Sequence, residues 1–197
     1  MSQEAWAVRL RYRVLAPFHV SAAVPLLMRP KSDEHAPYYA RYIARVPDGD
    51  LITLLREQSM ETVGMLRDVP VERADYTYAP GKWTTKDVVG HVVDSERIFA
   101  YRALRIGRGD STPLAGFDQD PYVAAGNFGR RSLGDLLEEL QIVRAATIQL
   151  VRHADETVLS RRGVASGQEV SVRALFYIIA GHERHHAELL RERYLPR

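Results

Sequence analysis

The 197-residue chain is 46% hydrophobic and 26% charged, with 27 basic side chains against 25 acidic ones. That composition suits one globular domain with a sizeable core, and a formal charge of +2 gives no electrostatic case for a nucleic-acid partner. Cysteine is absent, which removes disulfides and thiolate ligands and leaves imidazole and carboxylate as the groups able to hold a metal.

No apolar stretch reaches the ~18 residues a bilayer span needs, so a cytoplasmic protein without membrane contact is expected. Residues 1–29 read as an extension outside the folded unit. Arg9, Arg11 and Arg13 precede an apolar run from Val14 to Leu27, a weak imitation of a targeting segment. Pro17, His19 and Pro25 break that run, and no small-residue cleavage site follows. The preferred reading is an ill-ordered extension or a start placed too early, with Met28 as the natural alternative start. One domain then covers residues 30–197.

Residues 30–47 form a polar, aromatic lead-in with room for a turn of helix from Tyr38. Pro47-Asp48-Gly49-Asp50 is a stop-and-cap signal, and Leu51, Ile52, Leu55, Gln58, Thr62, Val63 and Leu66 then recur at helical spacing up to Pro70. Thr84 with Asp87 three residues on has the form of a capping box, and Trp83 and Val88 are placed as a hydrophobic staple. The second long helix runs from there to about Ile106, with Gly107 as its C′ residue. Residues 107–131 make a long, glycine-rich connection, able to cross a bundle and fold over the mouth of a site. Ser132 caps a third helix whose core face is Leu133, Leu136, Leu137, Leu140, Val143, Thr147 and Leu150. A loop over 154–169 follows, and Ser171 caps a fourth helix reaching about Tyr194. No strand pattern stands out. The expectation is an all-α four-helix bundle in up-down-down-up order, with the crossover between the second and third helices.

The fourth helix carries the densest chemistry. Three of the seven histidines, His182, His185 and His186, fall within it. His186 lies ~40° round the helix from His182, so the two project from one side and can grip one ion. That side is also the apolar one, shared with Leu175, Ile178, Ile179, Leu189 and Leu190. His185 lies ~100° from His186, at the edge of the face and out of reach of the same ion. A catalytic zinc-type site wants a third protein ligand and an open position. His91 on the second helix supplies a candidate, because Val88, Val92, Ser95, Ile98 and Phe99 share its side of the helix, away from Val89, Val93 and Arg97. Both sites read Gly-His, at Gly90-His91 and Gly181-His182. A glycine inside a helix costs about 1 kcal/mol and needs a reason. Close backbone approach at a crowded site and tight packing without a metal are both sufficient. A single inward histidine is ordinarily a hydrogen-bonded core residue; three in one core are most easily reconciled by a shared ion.

Gly81-Lys82-Trp83-Thr84, His91-Val92-Val93-Asp94-Ser95-Glu96 and the later Gly181-His182-Glu183-Arg184-His185-His186 together resemble the DinB-like superfamily, in particular its YfiT-like branch. The stretch from Arg102 to Asp110 is similar too, and the resemblance covers about residues 31–195. It implies an up-down-down-up bundle holding a divalent metal, zinc foremost and nickel next, on His91, His182 and His186. It implies a homodimer and an activity on small molecules. Some members are thiol-dependent S-transferases, using a low-molecular-weight thiol, and others are described only as metal-dependent hydrolases.

An ion on three neutral imidazoles keeps its full charge and can acidify either a bound water, toward about pH 7, or a thiol. Ser95 is the best-placed polar neighbour of His91. Asp94 lies ~60° to one side of it and Glu96 ~140° to the other. Either could hold an imidazole N–H, and either could instead form a surface salt bridge with Arg97 or the first helix. His185 is expected at the rim. Trp83 is expected to staple its helix rather than meet substrate. The competing reading is a binding or stress-response module whose metal is structural, which a fourth protein ligand would favour. Arg102, Arg105, Arg108, Arg130, Arg131, Arg161 and Arg162 are scattered and lack interleaved aromatics, so they do not make a nucleic-acid face.

Overall fold

Asp50, Thr84, Ser132 and Ser171 each precede a long helix. In the computed structural model, which describes residues 28–195, the side chain of each accepts a hydrogen bond from the backbone N–H three residues on. At Thr84 the bond is returned, since Asp87 accepts from the Thr84 N–H at 3.0 Å. The elements in chain order are α1 (Ala40–Ile43), α2 (Leu51–Arg67), α3 (Val71–Ala74), α4 (Thr85–Gly107), α5 (Gln119–Gly126), α6 (Leu133–Arg152), α7 (Glu156–Leu159), β1 (Arg162–Ala165), β2 (Gln168–Ser171) and α8 (Val172–Arg193). The readings made for residues 1–27 lie outside the described residues.

Contacts along the long helices fix their directions. Leu51, Ile52 and Leu55 at the start of α2 share an apolar cluster with Ile148 and Val151 at the end of α6 and with the first half of α8. Val63 and Leu66 share another with Leu133 to Val143 and with Leu190. So α2 runs antiparallel to α6 and parallel to α8. Val88 to Val93 join the second cluster and Phe99 to Ile106 the first, which makes α4 parallel to α6. The order is up-down-down-up. The long connection between α4 and α6 is what permits two consecutive parallel helices.

Between the two apolar clusters lies a buried ion cluster drawn from all four long helices. Arg144 forks onto Glu96 at 2.8 and 2.7 Å, reaches Glu183 at 2.7 Å and donates to the Leu55 carbonyl at 2.9 Å. Glu183 also accepts from Thr62 at 2.7 Å and from Gln58. The guanidinium and both carboxylates thus find partners, the condition under which buried charges are tolerated, while the Gln58 Oε1 is left buried without one.

Several expectations need correction. The segment read as a loop over 154–169 contains α7 and most of a two-stranded hairpin, β1 pairing antiparallel with β2. Ser166 and Gly167, both at positive φ (54° and 72°), form its two-residue turn, the geometry a twisted hairpin prefers. The strands have four residues each, too short to show an alternating pattern. The crossover is not bare loop, since it holds α5. The C′ residue of α4 is Gly109 (φ 82°), two residues beyond the expected Gly107, because the helix continues through Gly107. Val89 and Val93, expected to point away from the core, are buried, since α4 sits centrally and packs on both α6 and α8.

Candidate metal centre

Antiparallel packing of α4 and α8 sets His91, near the start of one, against His182 at the middle of the other and His186 one turn further on. The two glycines permit what lies over them. A Cβ on Gly181 would overlap the carbonyl of Tyr42, so α1 rests directly on α8. A Cβ on Gly90 would overlap the ring of Phe128, which follows α5. Close approach is therefore the reason for both, made by the lead-in and the crossover rather than by α4 and α8 themselves.

The three imidazoles converge. One ring nitrogen from each of His91, His182 and His186 lies within 4.8 Å of the other two, and among the described residues no other histidine or carboxylate joins them. The Nε2 atoms of His91 and His182 are 3.1 Å apart. Two nitrogens on one tetrahedral zinc, each at ~2.0–2.1 Å, would stand about 3.3 Å apart. Exposures are 3%, 7% and 7%. Burial pushes the His91 imidazole down to about 4, with the His185 imidazole adding to the shift, and burial with neighbouring imidazoles pushes His182 and His186 well below the usual histidine range. All three are therefore neutral near pH 7, the form that offers a lone pair. The His186 Nδ1 is buried with no hydrogen-bond partner. The donor set and spacing fit a divalent ion.

Aromatic rings fix the imidazoles from the sides. Trp83 packs on His91 at 4.8 Å between ring centroids, Tyr42 meets His182 edge-on at 5.4 Å, and Phe99 meets His182 at 5.9 Å. Trp83 thus touches the site as well as the core beside its helix. A cavity of about 440 Å³ opens onto His91 and His182, walled by Tyr38, Tyr39, Tyr42, Phe99 and Phe117. Ser95 lines it, with Oγ 3.5 Å from the His91 Nδ1.

The other candidates part company with the site. Asp94 sits 3.7 Å from Arg97 at the surface. Glu96 is buried on Arg144 and makes no contact with an imidazole. The cause is the same central position of α4: a residue ~140° from His91 faces another helix, not solvent. His185 is half-buried at the rim, its ring 5.5 Å from Tyr42 and 5.0 Å from His186. Helix spacing alone did not single out Glu183, Arg144 or the aromatic walls. The tyrosine-rich run from Tyr38 to Tyr42 was the signal available for the last. Of the arginines weighed as a basic face, Arg105 pairs with Asp110, Arg131 with Asp135 and Glu139, and Arg162 with Asp33 and Glu169.

The profile of the DinB superfamily matches residues 54–190. The chain belongs to the DinB superfamily. Among solved structures, YfiT from Bacillus subtilis, described as a probable metal-dependent hydrolase with an unusual four-helix bundle topology, superposes with a TM-score of 0.65 at 18% identity, over 72% of this chain and 84% of that one. The mycothiol-dependent maleylpyruvate isomerase superposes with a TM-score of 0.60 at 17% identity, over 74% of this chain and 61% of that one. At such identities the likeness is one of fold. No curated protein matches the chain by sequence. Among the described residues of this DinB-superfamily chain, no helix is long and apolar enough to cross a membrane.

Proposed function

We propose that this chain is a metal-dependent enzyme in which His91, His182 and His186 hold one divalent ion, zinc first and nickel second. The observation that carries the reading is the convergence of three buried, neutral imidazoles at the inner end of an aromatic-walled cavity. Such an ion, with a coordination position facing the cavity, would supply a Lewis acid able to hold a thiol or a water in its deprotonated form.

The protein's own groups do the rest. Burial keeps the imidazoles unprotonated. Ser95 stands behind His91 at 3.5 Å and can fix its tautomer through Nδ1. Tyr42, Trp83 and Phe99 hold the rings in place, and the aromatic walls exclude water from the inner end of the cavity. Thiol transfer is favoured over hydrolysis by what lines that space. Hydrolysis wants a general base, and the carboxylate in the lining, Asp118, is exposed and caps α5. A thiol needs only to ionise and be aimed. The mycothiol dependence of one structural neighbour, the maleylpyruvate isomerase, supports the same choice.

The test is a thiol panel of glutathione, cysteine and mercaptoethanol offered with a chlorodinitrobenzene electrophile to zinc-loaded protein. Zinc-dependent thioether formation, lost in His91→Ala, is expected. Zinc-dependent ester hydrolysis without thiol consumption would replace this reading with the hydrolase one.

A further inference from the structure

Four cationic side chains are buried among the described residues: Lys86, Arg102, Arg144 and Arg173. Three of them face carboxylates. Lys86 meets Asp75 at 2.9 Å, Arg144 meets Glu96 and Glu183, and Arg173 meets Glu34 at 3.4 Å and Glu156. Arg102 is the exception. At 2% exposure it has no carboxylate within ion-pair distance among the described residues. Its Nη2 donates to the Ala115 carbonyl at 2.8 Å and to the Ser166 hydroxyl at 3.0 Å. Its guanidinium stands 5.8 and 5.9 Å from the ring centroids of Phe99 and Phe117, and it acts on the Tyr39 hydroxyl. These neutral partners offset part of the cost of burying a charge, but none supplies the counter-charge.

Its position ties it to the cavity. Arg102 comes eleven residues after His91 on α4, about 20° round the helix and some 16 Å along it, so both project from the same face. Ser95 and Phe99, between them on that face, line the cavity. So do Tyr39, Phe117 and Ser166, three of the groups that surround Arg102. The cavity therefore runs along α4 from the imidazoles to the neighbourhood of an uncompensated guanidinium. No lysine or arginine is in its lining; Arg102 lies directly behind Tyr39, Phe99, Phe117 and Ser166, which are. One buried positive charge balances one negative charge, which suits a carboxylate. A phosphate dianion would want a second cation.

We propose that the cavity takes a small-molecule substrate bearing a carboxylate, and that Arg102 binds that carboxylate while the reacting group lies at the three histidines. The proposal rests on the reading above that this cavity is the substrate site. A carboxylate that takes the place of the Ser166 hydroxyl on Nη2 meets the flat, forked donor pair it matches, with the Ala115 contact kept. Tyr39 and Ser166 stand beside it as hydroxyl partners, and Phe99 and Phe117 wall the approach.

Benzoate and benzamide share a shape and differ in charge, which makes them the probe pair. Their binding to the full chain, stripped of metal, is measured by calorimetry for wild type, Arg102→Gln and Arg102→Lys. Wild type should bind benzoate at least about tenfold more tightly than benzamide, and R102Q should abolish the preference. Equal binding of the two by wild type, or a preference that survives in R102Q, overturns the proposal. Should R102Q not fold, R102K decides, because an ammonium cannot reach Ala115, Ser166 and a ligand with one fork. Its preference must then fall at least about threefold, and an unchanged one overturns the proposal. The same wild-type sample is finally reloaded with zinc and its metal content measured. A failure of the benzoate arm leaves the metal reading standing, and a failure to take up zinc sinks the metal reading without touching the benzoate result.

Discussion

Gly64 and Gly181 both lie inside long helices, yet alanine should act on them in opposite directions. On helix propensity alone each Gly→Ala change gains about 1 kcal/mol. At Gly64, on the exposed face of α2, a Cβ would have nothing within 4 Å. Gly64→Ala should therefore stabilise the protein by about 0.5–1 kcal/mol. At Gly181 the added atom would overlap the carbonyl of Tyr42. That carbonyl is backbone and accepts the Arg45 N–H at 3.0 Å, so it cannot turn aside. The lead-in helix α1 must lift off α8 instead. Because the overlap is with backbone rather than with a flexible side chain, the cost falls at the upper end of the usual overpacking range, about 2–3 kcal/mol, which outweighs the propensity gain. A net loss of about 1–2 kcal/mol follows, or a fall in Tm of roughly 2–8 °C in a chain of this size. Urea midpoints at unchanged m read both variants, and limited proteolysis within residues 28–49 reads the release of α1. A Gly181→Ala protein as stable as wild type would refute the seating of α1 on α8, and with it the Tyr42 contact that holds His182.

Two further expectations concern stability away from the site. Arg144→Met leaves Glu96 and Glu183 buried without their partner and should cost about 3–5 kcal/mol in urea unfolding, whereas replacing all three charged groups by apolar ones of similar volume should recover most of that loss. Tyr194, buried at the end of α8, donates its hydroxyl to the Trp83 carbonyl at 2.9 Å, and burial with the Tyr78 and Asp87 charges pushes its hydroxyl up to about 12. The unfolded chain ionises near 10, so the folded state loses stability as pH rises from about 10 to about 12. Tyr194→Phe should be about 1 kcal/mol less stable at pH 8 yet lose less between pH 8 and pH 11 than wild type does. Parallel losses in the two proteins would remove Tyr194 as a source of the alkaline sensitivity.

Much of this was legible in the residues because it is local. Asp50, Thr84, Ser132 and Ser171 mark helix starts by a bond three residues long. The length of the connection after α4 announced parallel neighbours, and helix spacing alone aimed His91, His182 and His186 inward. What stayed hidden depends on the environment of a helix rather than on its own periodicity. Glu96 reads as a surface acid if α4 has one buried face, and becomes half of an internal ion pair once α4 is central. Arg144 and Arg102 are charged, so composition places them outside. The walls of the cavity come from the lead-in, α4 and the crossover, three segments whose meeting no single window shows. The hairpin of β1 and β2 announced itself only through Ser166-Gly167.

The account turns on one ion shared by three imidazoles. Protein purified without chelators and assayed for bound metal should carry one divalent ion per chain, or take one up on addition of zinc. His91→Ala, His182→Ala and His186→Ala should each lose it while remaining folded by circular dichroism, and His185→Ala should keep it. A wild-type protein that holds no metal and cannot be loaded, or a folded single variant of the three that binds zinc as tightly as wild type, would contradict the account.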